Sequence, residues 1–489
     1  MNNEEIKQKS VSGIVWKLLE RLFAQGVTLI VSIVLARILS PDDYTVVSLV
    51  IIFFTFANIL ITGGLNTALI QKKDADEIDY SSVLIASVVF SIVIYTLLFF
   101  CAPYFANLYS QPSLIPILRV MGISLIVTAI KAVWCAYISA HLEFRKFFFA
   151  TLGGTIASAF IGIALALTGW GAWAIVAQQM TNTIVDTIIL VLLVRIKMPF
   201  RFDNRRFLIL FRYSWKILVS SVVSTVYNET IPLLVGVKYD AANLSYYTKG
   251  RQFPGNISST ITNTLASVLF PVVSKFQESK DNVLKCSRMF IRTTSFVVFP
   301  MMLGFFAVAD NFVWVVLTEK WMQCVYYMRV FCVACMFSMI HIGNCETIKA
   351  LGRSDVYLVI EIIKKVCYLV VIVLFVIYSK SPRTLVLAFI VNEIIAIIVN
   401  SVPNIFLIGY KIRYQVADLV PNLLTSVLMA LAVMALGFLK MNPCLKLSFQ
   451  VVVGIVLYVG ISFLIKNKSI NTLRTLIAGF RSKKMKQGE

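Results

Sequence analysis

The stretch SSVLIASVVFSIVIYTLLFFCA, residues 81–102, contains no charged side chain, no proline and no glycine. A helix of about 20 mostly apolar residues crosses the hydrocarbon core of a bilayer. The stretch is therefore predicted to form a membrane-spanning helix, and it sets the expectation for the rest of the chain.

Apolar runs of similar length recur along the whole sequence. They lie at 11–39, 44–65, 81–102, 114–140, 147–167, 171–194, 207–235, 243–270, 286–308, 325–349, 357–378, 384–408, 417–438 and 445–465. The length rule predicts about fourteen transmembrane helices in an all-α membrane protein. Because the gaps between the runs are short, no sizeable domain outside the membrane is expected.

The composition of the chain supports the same interpretation. Of its 489 residues, 59% are hydrophobic and 14% are charged, whereas soluble domains have about 45–50% apolar and about 25% charged residues. A water-soluble fold would expose much of this excess, so the bilayer is the better solvent. The run at 11–39 is too long and too charged for the core of a signal peptide, so this first helix is expected to stay in the mature protein.

The chain has 45 Lys and Arg against 24 Asp and Glu, a formal net charge of +21. Such an excess could indicate a nucleic-acid partner, but here the basic residues lie mostly in alternate gaps between apolar runs. The gap at 195–206 carries five Lys and Arg, whereas the gap at 104–112 carries none. By the positive-inside rule, this alternation predicts that both termini are cytoplasmic. The basic residues are thus explained by membrane topology, and no nucleic-acid partner is expected.

Motifs for cofactor, metal or nucleotide chemistry are weak or absent in the sequence. Cys332 and Cys335 form a C-x-x-C that is better explained as helix packing than as a redox or metal pair. There are two His and no H-E-x-x-H, and no G-x-x-x-x-G-K-[ST] loop for direct ATP drive. We therefore expect no cofactor, no metal and no enzymatic activity.

A faint repeat suggests two related halves, because LAR at 35–37 followed by PDDY resembles LVGVK at 234–238 followed by Asp240. Repeated halves with the substrate path between them are common in transporters. The predicted domains are a six-helix lobe at 1–200, a second six-helix lobe at 201–410, two further helices at 411–466 and a basic cytoplasmic tail at 467–489.

Ionisable residues inside predicted spans are costly, at about 2.5–3.5 kcal/mol each at a helix centre, and are functional candidates by default. In the first span, Lys17, Glu20 and Arg21 share one helical face. They would form a cationic cluster lining a central cavity, or lie at a helix end with the long side chains reaching the headgroups. Glu20 is also a candidate for coupling transport to an ion or proton.

Three further ionisable residues lie in other spans. Lys131 is near the middle of its run, which favours a position in a cavity. Lys216 suits a cavity or the membrane interface. Glu229 is a coupling candidate, with a salt bridge to a cation as the alternative.

The eighth span is the most polar. Lys249, Gln252, Asn256 and Asn263 recur at helical spacing, with Arg251 beside them. Such a stripe suits sugar hydroxyls and phosphate oxygens, or hydrogen bonds between helices. Packing is the favoured role for three other polar sets, which are Gln179, Asn182 and Asp186; His341, Asn344 and Glu346; and Asn392, Glu393 and Asn400.

Several short segments, spread in order over most of the chain, carry a resemblance to a known family. They are LARILSPDDY at 35–44, ALIQKK at 68–73, APYFANLY at 102–109, GWGAWA at 169–174, LSYY at 244–247 and GRSD at 352–355. The chain resembles the polysaccharide-export branch of the superfamily that also holds multidrug and toxic-compound extruders and murein-precursor flippases. Thr45 stands where the family often has Gly.

The resemblance implies two six-helix bundles around a central cavity, with fourteen helices in this branch. It implies a flippase that moves a polyprenyl-pyrophosphate-linked oligosaccharide across the bacterial inner membrane, for lipopolysaccharide, capsule or exopolysaccharide assembly. Alternating access would be coupled to an ion or proton gradient. In this family, cationic side chains that face the cavity would bind pyrophosphate or acidic sugars. The residues of this chain that match them by positive charge alone are Lys17, Arg21, Lys131, Lys216, Lys249 and Arg251.

Two other functions stay open. An ion-coupled drug or metabolite exporter of the same fold would favour an acidic, aromatic cavity, whereas the charge within these spans is mainly basic. A membrane polysaccharide polymerase or ligase would need a sizeable outer loop with catalytic groups, and the outer gaps are short. The expected partners are the lipid-linked oligosaccharide, membrane lipids and polymerase machinery.

Overall fold

The chain is all-helical in a computed structural model. The structure describes residues 3–62, 64–72, 75–141, 143–196, 198–239, 241–276, 279–465, 467 and 469. No strand occurs among these residues. The predicted basic tail at 467–489 lies almost entirely outside them.

Sixteen α-helices are present in the described part of the chain. They are α1 (Asn3–Ile38), α2 (Pro41–Thr62), α3 (Leu65–Gln71), α4 (Glu77–Leu108), α5 (Leu114–His141), α6 (Phe144–Leu167), α7 (Ala172–Leu193), α8 (Asn204–Lys238), α9 (Ala241–Lys275), α10 (Lys280–Phe312), α11 (Cys324–Ala350), α12 (Ser354–Tyr378), α13 (Pro382–Val386), α14 (Ala388–Ile408), α15 (Ile412–Leu436) and α16 (Pro443–Leu464). A π-helical turn (Val313–Leu317) and a 3₁₀ turn (Glu319–Trp321) follow α10.

The predicted spans correspond one to one with the fourteen helices other than α3 and α13, so the predicted fold class is confirmed. Twelve helices among the described residues are long and apolar enough to cross a membrane. Of the other two long helices, α9 carries the polar stripe, and α12 carries Glu361, Lys364 and Lys365 within its length. The chain is therefore a multi-pass membrane protein.

Polar residues and glycines set several helix boundaries. Asp76 caps α4, and its side chain accepts a hydrogen bond from the Asp79 backbone N–H. In return, the Asp76 backbone N–H donates to the Asp79 carboxylate, which completes a capping box. Asp203 accepts from two backbone N–H groups at the start of α8. Gly64 separates α2 from α3 with φ at 107°, and a Cβ there would collide with the Ser214 carbonyl oxygen on α8. Only glycine fits this break.

The chain divides into two compact units, Met1–Ser245 and Tyr246–Glu489. In the first unit, α6 packs on α1 and α7, α5 packs on α4, and α8 packs against α2, α3 and α4. One buried cluster, which includes Leu69, Val83, Val133 and Leu190, forms part of its core. The lobe boundaries predicted from the sequence stay predictions.

The second unit is organised around α10, which packs against α11, α15 and α16. The long helices of both units also expose large apolar side chains, for example Phe100 at 75% and Phe406 at 80%. Soluble monomers rarely expose apolar surface on this scale. The lipid bilayer is the solvent that accommodates it.

Candidate functional site

A buried ion pair joins two helices of the first unit. Lys131 on α5 donates to Asp186 Oδ2 on α7 over 2.5 Å, and Asp186 is only 3% exposed. Lys131 was predicted to lie in a cavity, whereas Asp186 was assigned to helix packing. Burying either charge alone is expensive, so each side chain makes the other tolerable inside the unit.

Glu20 on α1 extends this cluster. Glu20, Lys131 and Asp186 all act electrostatically on Cys135, which lies one turn after Lys131 on α5. Asp186 Oδ1 is buried and has no hydrogen-bond partner among the described residues. The first unit thus holds two carboxyl groups and one ammonium close together among apolar helices.

A polar cavity of about 320 Å³ lies between α1, α6 and α7 of the first unit. Its walls include Thr28, Ser158, Gln179 and Asn182. Asn182 donates to Ser158 Oγ over 3.3 Å and lies one turn before Asp186 on α7. The cavity and the ion pair therefore share one face of α7.

The remaining candidates of the first unit are more scattered. Arg21 and Lys216 are exposed, and Glu229 is half-buried on α8. The side chain of Lys17 lies outside the described residues. The predicted cationic cluster on the first helix is thus described only through Glu20 and Arg21.

In the second unit, Lys249 is the most deeply buried of the candidate cations, at 3% exposure. Its Nζ donates to Gln252 Oε1 over 3.3 Å and lies 5.8 Å from the centre of the Trp321 ring. Both contacts offset part of the desolvation that burial imposes on the ammonium, the amide by hydrogen bonding and the indole by its ring quadrupole. Trp321 itself is fully buried in the 3₁₀ turn.

Arg251 lies on α9 close to groups from α11 and α14. Its Cζ is 5.9 Å from the centre of the Phe389 ring, and it interacts electrostatically with Cys335, as does Glu393. His341 Nε2 lies 3.1 Å from Glu393 Oε2. Asn256 lies two helical turns after Lys249 in the polar stripe, and its side chain is exposed.

Polar side chains on α11, α14 and α15 also bond to each other within the second unit. Asn344 donates to Ser401 Oγ over 3.1 Å and to Gln415 Oε1 over 3.2 Å. Asn404 donates to Asn344 Oδ1 over 2.9 Å. These bonds between buried side chains agree with the packing role predicted for Asn344.

Sequence reasoning missed a second ion cluster, formed by Arg288 and Arg292 on α10 with Asp418 on α15. Arg288 donates to both Asp418 oxygens over 2.8 and 2.9 Å, and Arg292 Nε donates over 2.6 Å. Tyr410 adds a hydrogen bond of 3.0 Å. Two arginines one helical turn apart within a predicted span were the signal that could have found it.

An apolar cavity of about 370 Å³ lies between α10, α15 and α16 of the second unit. Its walls include Phe305, Met429, Gly454 and Tyr458. The cavity is lined almost entirely by hydrocarbon and aromatic groups, so it suits an apolar guest.

Fourteen long helices among the described residues, with charged clusters buried between them, define a multi-pass membrane protein with ionisable groups inside its helix bundles. The model of the polysaccharide biosynthesis protein family matches residues 34–326, more than half of the chain. The chain belongs to this family, which confirms the resemblance found in the sequence.

Two proteins named for polysaccharide biosynthesis are similar to this chain in sequence. The succinoglycan biosynthesis transport protein ExoT of Rhizobium meliloti is 22% identical over 306 residues, which are 63% of this chain and 62% of that protein. The chain thus matches less than two thirds of ExoT. The lipopolysaccharide biosynthesis protein WzxC of Escherichia coli is 19% identical over 384 residues, covering 76% of this chain and 75% of WzxC.

A solved structure of the lipid II flippase MurJ, in an inward closed conformation, has the same fold. The TM-score is 0.77 at 16% identity, covering 94% of this chain and all of that one. At this identity the likeness concerns the fold alone.

Proposed function

We propose that this protein is a flippase that moves a polyprenyl-pyrophosphate-linked oligosaccharide across the bacterial inner membrane by alternating access. The product would serve lipopolysaccharide, capsule or exopolysaccharide assembly. Membership of the polysaccharide biosynthesis family supports this proposal, as do the transport and lipopolysaccharide roles in the names of its relatives.

The observation that carries the proposal is the burial of Lys249 within the polar stripe of α9. A diphosphate crosses hydrocarbon only if a partner compensates its charge, and a cation in a low-dielectric surrounding does so strongly. Lys249 already contacts a neutral amide at 3.3 Å and an aromatic ring. A phosphate oxygen that replaces this amide would gain a charge-assisted hydrogen bond.

Arg251 and Asn256 lie near Lys249 on the same helix and would contribute donors to phosphate or sugar oxygens. Lys131 is a further candidate for binding the substrate, although its ammonium already pairs with the Asp186 carboxylate. Arg21, Lys17 and Lys216 stay candidates by charge type alone.

Glu20 remains a coupling candidate, because it shares the cluster of Lys131 and Asp186. A proton or cation arriving at these carboxyl groups would change how tightly Lys131 is held. Glu229 is the second coupling candidate, from its half-buried position on α8.

The apolar cavity beside α16 supports a polyprenyl substrate, because it offers a surface for hydrocarbon within the second unit. We further propose that both termini are cytoplasmic, that the protein catalyses no covalent step, and that polymerase machinery receives the flipped product.

Deletion of the gene tests this proposal. We expect lipid-linked repeat units to accumulate in the inner leaflet and surface polysaccharide to be lost. The wild-type gene and an Arg353→Gln variant, which alters an exposed cation, should restore the polysaccharide, whereas Lys249→Gln should not. Normal surface polysaccharide in the deletion strain would contradict the proposed function.

A further inference from the structure

The cluster of Arg288, Arg292 and Asp418 borders a cavity of about 370 Å³. Besides these three residues, its walls include Ala417, Pro421 and Ile465. Both arginine side chains are a little over a quarter exposed, whereas that of Asp418 is fully buried. The cavity therefore presents guanidinium groups next to apolar surface and hides the carboxylate behind them.

The charges of this cluster do not cancel. Two guanidinium groups face one carboxylate, which leaves a net charge of +1. A guanidinium has five N–H donors, and the described hydrogen bonds to Asp418 use Nε and Nη2 of Arg288 and Nε of Arg292. Arg292 Nη2 also contacts Asp418 Oδ1 as an ion pair, whereas no described contact with Asp418 uses Nη1 of either arginine. Donors are thus left over on both side chains for a second anion.

More positive charge lies at the same end of α10 and α15. The Arg288 guanidinium is 5.2 Å from the centre of the Tyr414 ring, and that of Arg413 is 4.8 Å from it. Lys411 also acts on Tyr414. The gap that holds Lys411 and Arg413 is one of those that the charge alternation predicts to be cytoplasmic.

From this arrangement we propose that the cavity binds the phosphate group of an anionic phospholipid in the cytoplasmic leaflet. Arginine pairs recognise phosphate by several parallel hydrogen bonds. The neighbouring Pro421 and Ile465 would contact the glycerol and the start of the acyl chains. Such a lipid would hold α10, α15 and the segment after α16 together, apart from any binding of the transported substrate.

The test uses a pair of substitutions at Ala417, an exposed residue of the cavity wall. Ala417→Glu places a carboxylate beside the arginines, whereas Ala417→Gln has nearly the same size without the charge. Binding to the purified full-length protein is measured by native mass spectrometry with phosphatidylglycerol, phosphatidylcholine or inorganic phosphate. We expect Ala417→Glu to weaken phosphatidylglycerol binding at least tenfold, with wild-type binding in Ala417→Gln.

A second pair of variants tests whether both guanidinium groups are needed, because Arg288→Gln with Asp418→Asn keeps the net charge of the cluster at +1 and leaves Arg292 as its one guanidinium. Arg288→Gln with Asp418→Asn should also weaken phosphatidylglycerol binding. The control, Arg353→Gln with Asp355→Asn, removes an exposed pair whose atoms are 2.8 Å apart and should have no effect.

Three results would overturn the proposal. They are equal binding of the lipid by the Ala417 variants, equal binding of the anionic and zwitterionic lipids by the wild type, and displacement of the lipid by millimolar inorganic phosphate. The last result would identify a site for free phosphate. Because only lipid binding is measured, failure here would leave the flippase proposal untouched.

Discussion

Two of the buried carboxylates, Asp186 in the first unit and Asp418 in the second, are held in different ways. Asp186 in the first unit accepts one described hydrogen bond, from Lys131, and its Oδ1 is left without a partner among the described residues. Asp418 in the second unit accepts bonds from Arg288, Arg292 and Tyr410. The first arrangement leaves one carboxylate oxygen unbonded among the described residues, whereas the second bonds both oxygens and carries surplus positive charge.

This difference indicates different roles. A carboxylate with an unbonded oxygen beside a single cation can exchange partners at low cost. A carboxylate fixed by two arginines and a tyrosine resists exchange and holds its helices together. We therefore propose that Asp186 belongs to a part of the first unit that can rearrange and that Asp418 belongs to a rigid part of the second unit.

The largest expected effect is on stability, from Asp418→Asn. The substitution leaves two arginines without their buried counter-ion, which destabilises proteins by about 3–5 kcal/mol. Reversible unfolding of the purified protein in mixed micelles measures the loss. A loss below 1 kcal/mol would show that the cluster does not hold α10 against α15.

A smaller loss is expected from Asp186→Asn, because fewer bonds are broken and Lys131 is partly exposed. One unsatisfied buried donor costs about 1–3 kcal/mol. The same unfolding measurement applies. If Asp186→Asn proved as costly as Asp418→Asn, the contrast between the two carboxylates would fail.

Removing both members of the first pair sharpens the contrast. Lys131→Gln with Asp186→Asn removes both charges of the pair, so we expect it to recover most of the stability lost in Asp186→Asn. Surface polysaccharide should still be reduced, because the exchangeable pair is absent. Full polysaccharide in the double variant would assign the pair to packing alone.

The smallest effect is expected for an exposed pair in the first unit. The Arg206 guanidinium bonds to the Asp76 carboxylate and holds the pKa of Asp76 below its usual value. This small stabilisation is complete above the usual pKa of Asp, about 3.9. It is lost as the pH falls through the lowered value.

Unfolding of wild type and Arg206→Gln, followed between about pH 5 and pH 3, tests this pair. The two proteins should differ slightly at pH 5 and converge as Asp76 is protonated. A difference that grows on acidification would reverse the sign and contradict the assignment.

Much of the fold could be predicted from the sequence, because apolar length alone determines which helices can cross a bilayer. This rule found every long helix among the described residues. It missed α3 and α13, which have seven and five residues and are too short for any length rule. Their positions depend on backbone features such as the positive φ of Gly64.

The site was less predictable, because ion pairs join residues far apart in the chain. Lys131 was found from its depth within one helix, but its partner Asp186 is 55 positions away. Arg288 and Arg292 were overlooked because the predicted span began at 286, which put both near a membrane surface. Their partner Asp418 is 130 and 126 positions away.

The most direct test of the account is translocation by the purified protein in liposomes. The probe is a polyprenyl diphosphate that carries a fluorescent sugar chain, and its sidedness is read by a quencher that cannot cross the bilayer. We predict that the wild type and Arg353→Gln equilibrate the probe between leaflets and that Lys249→Gln does so at least tenfold more slowly. Equal rates for all three proteins would contradict the claim that a buried cation carries the diphosphate.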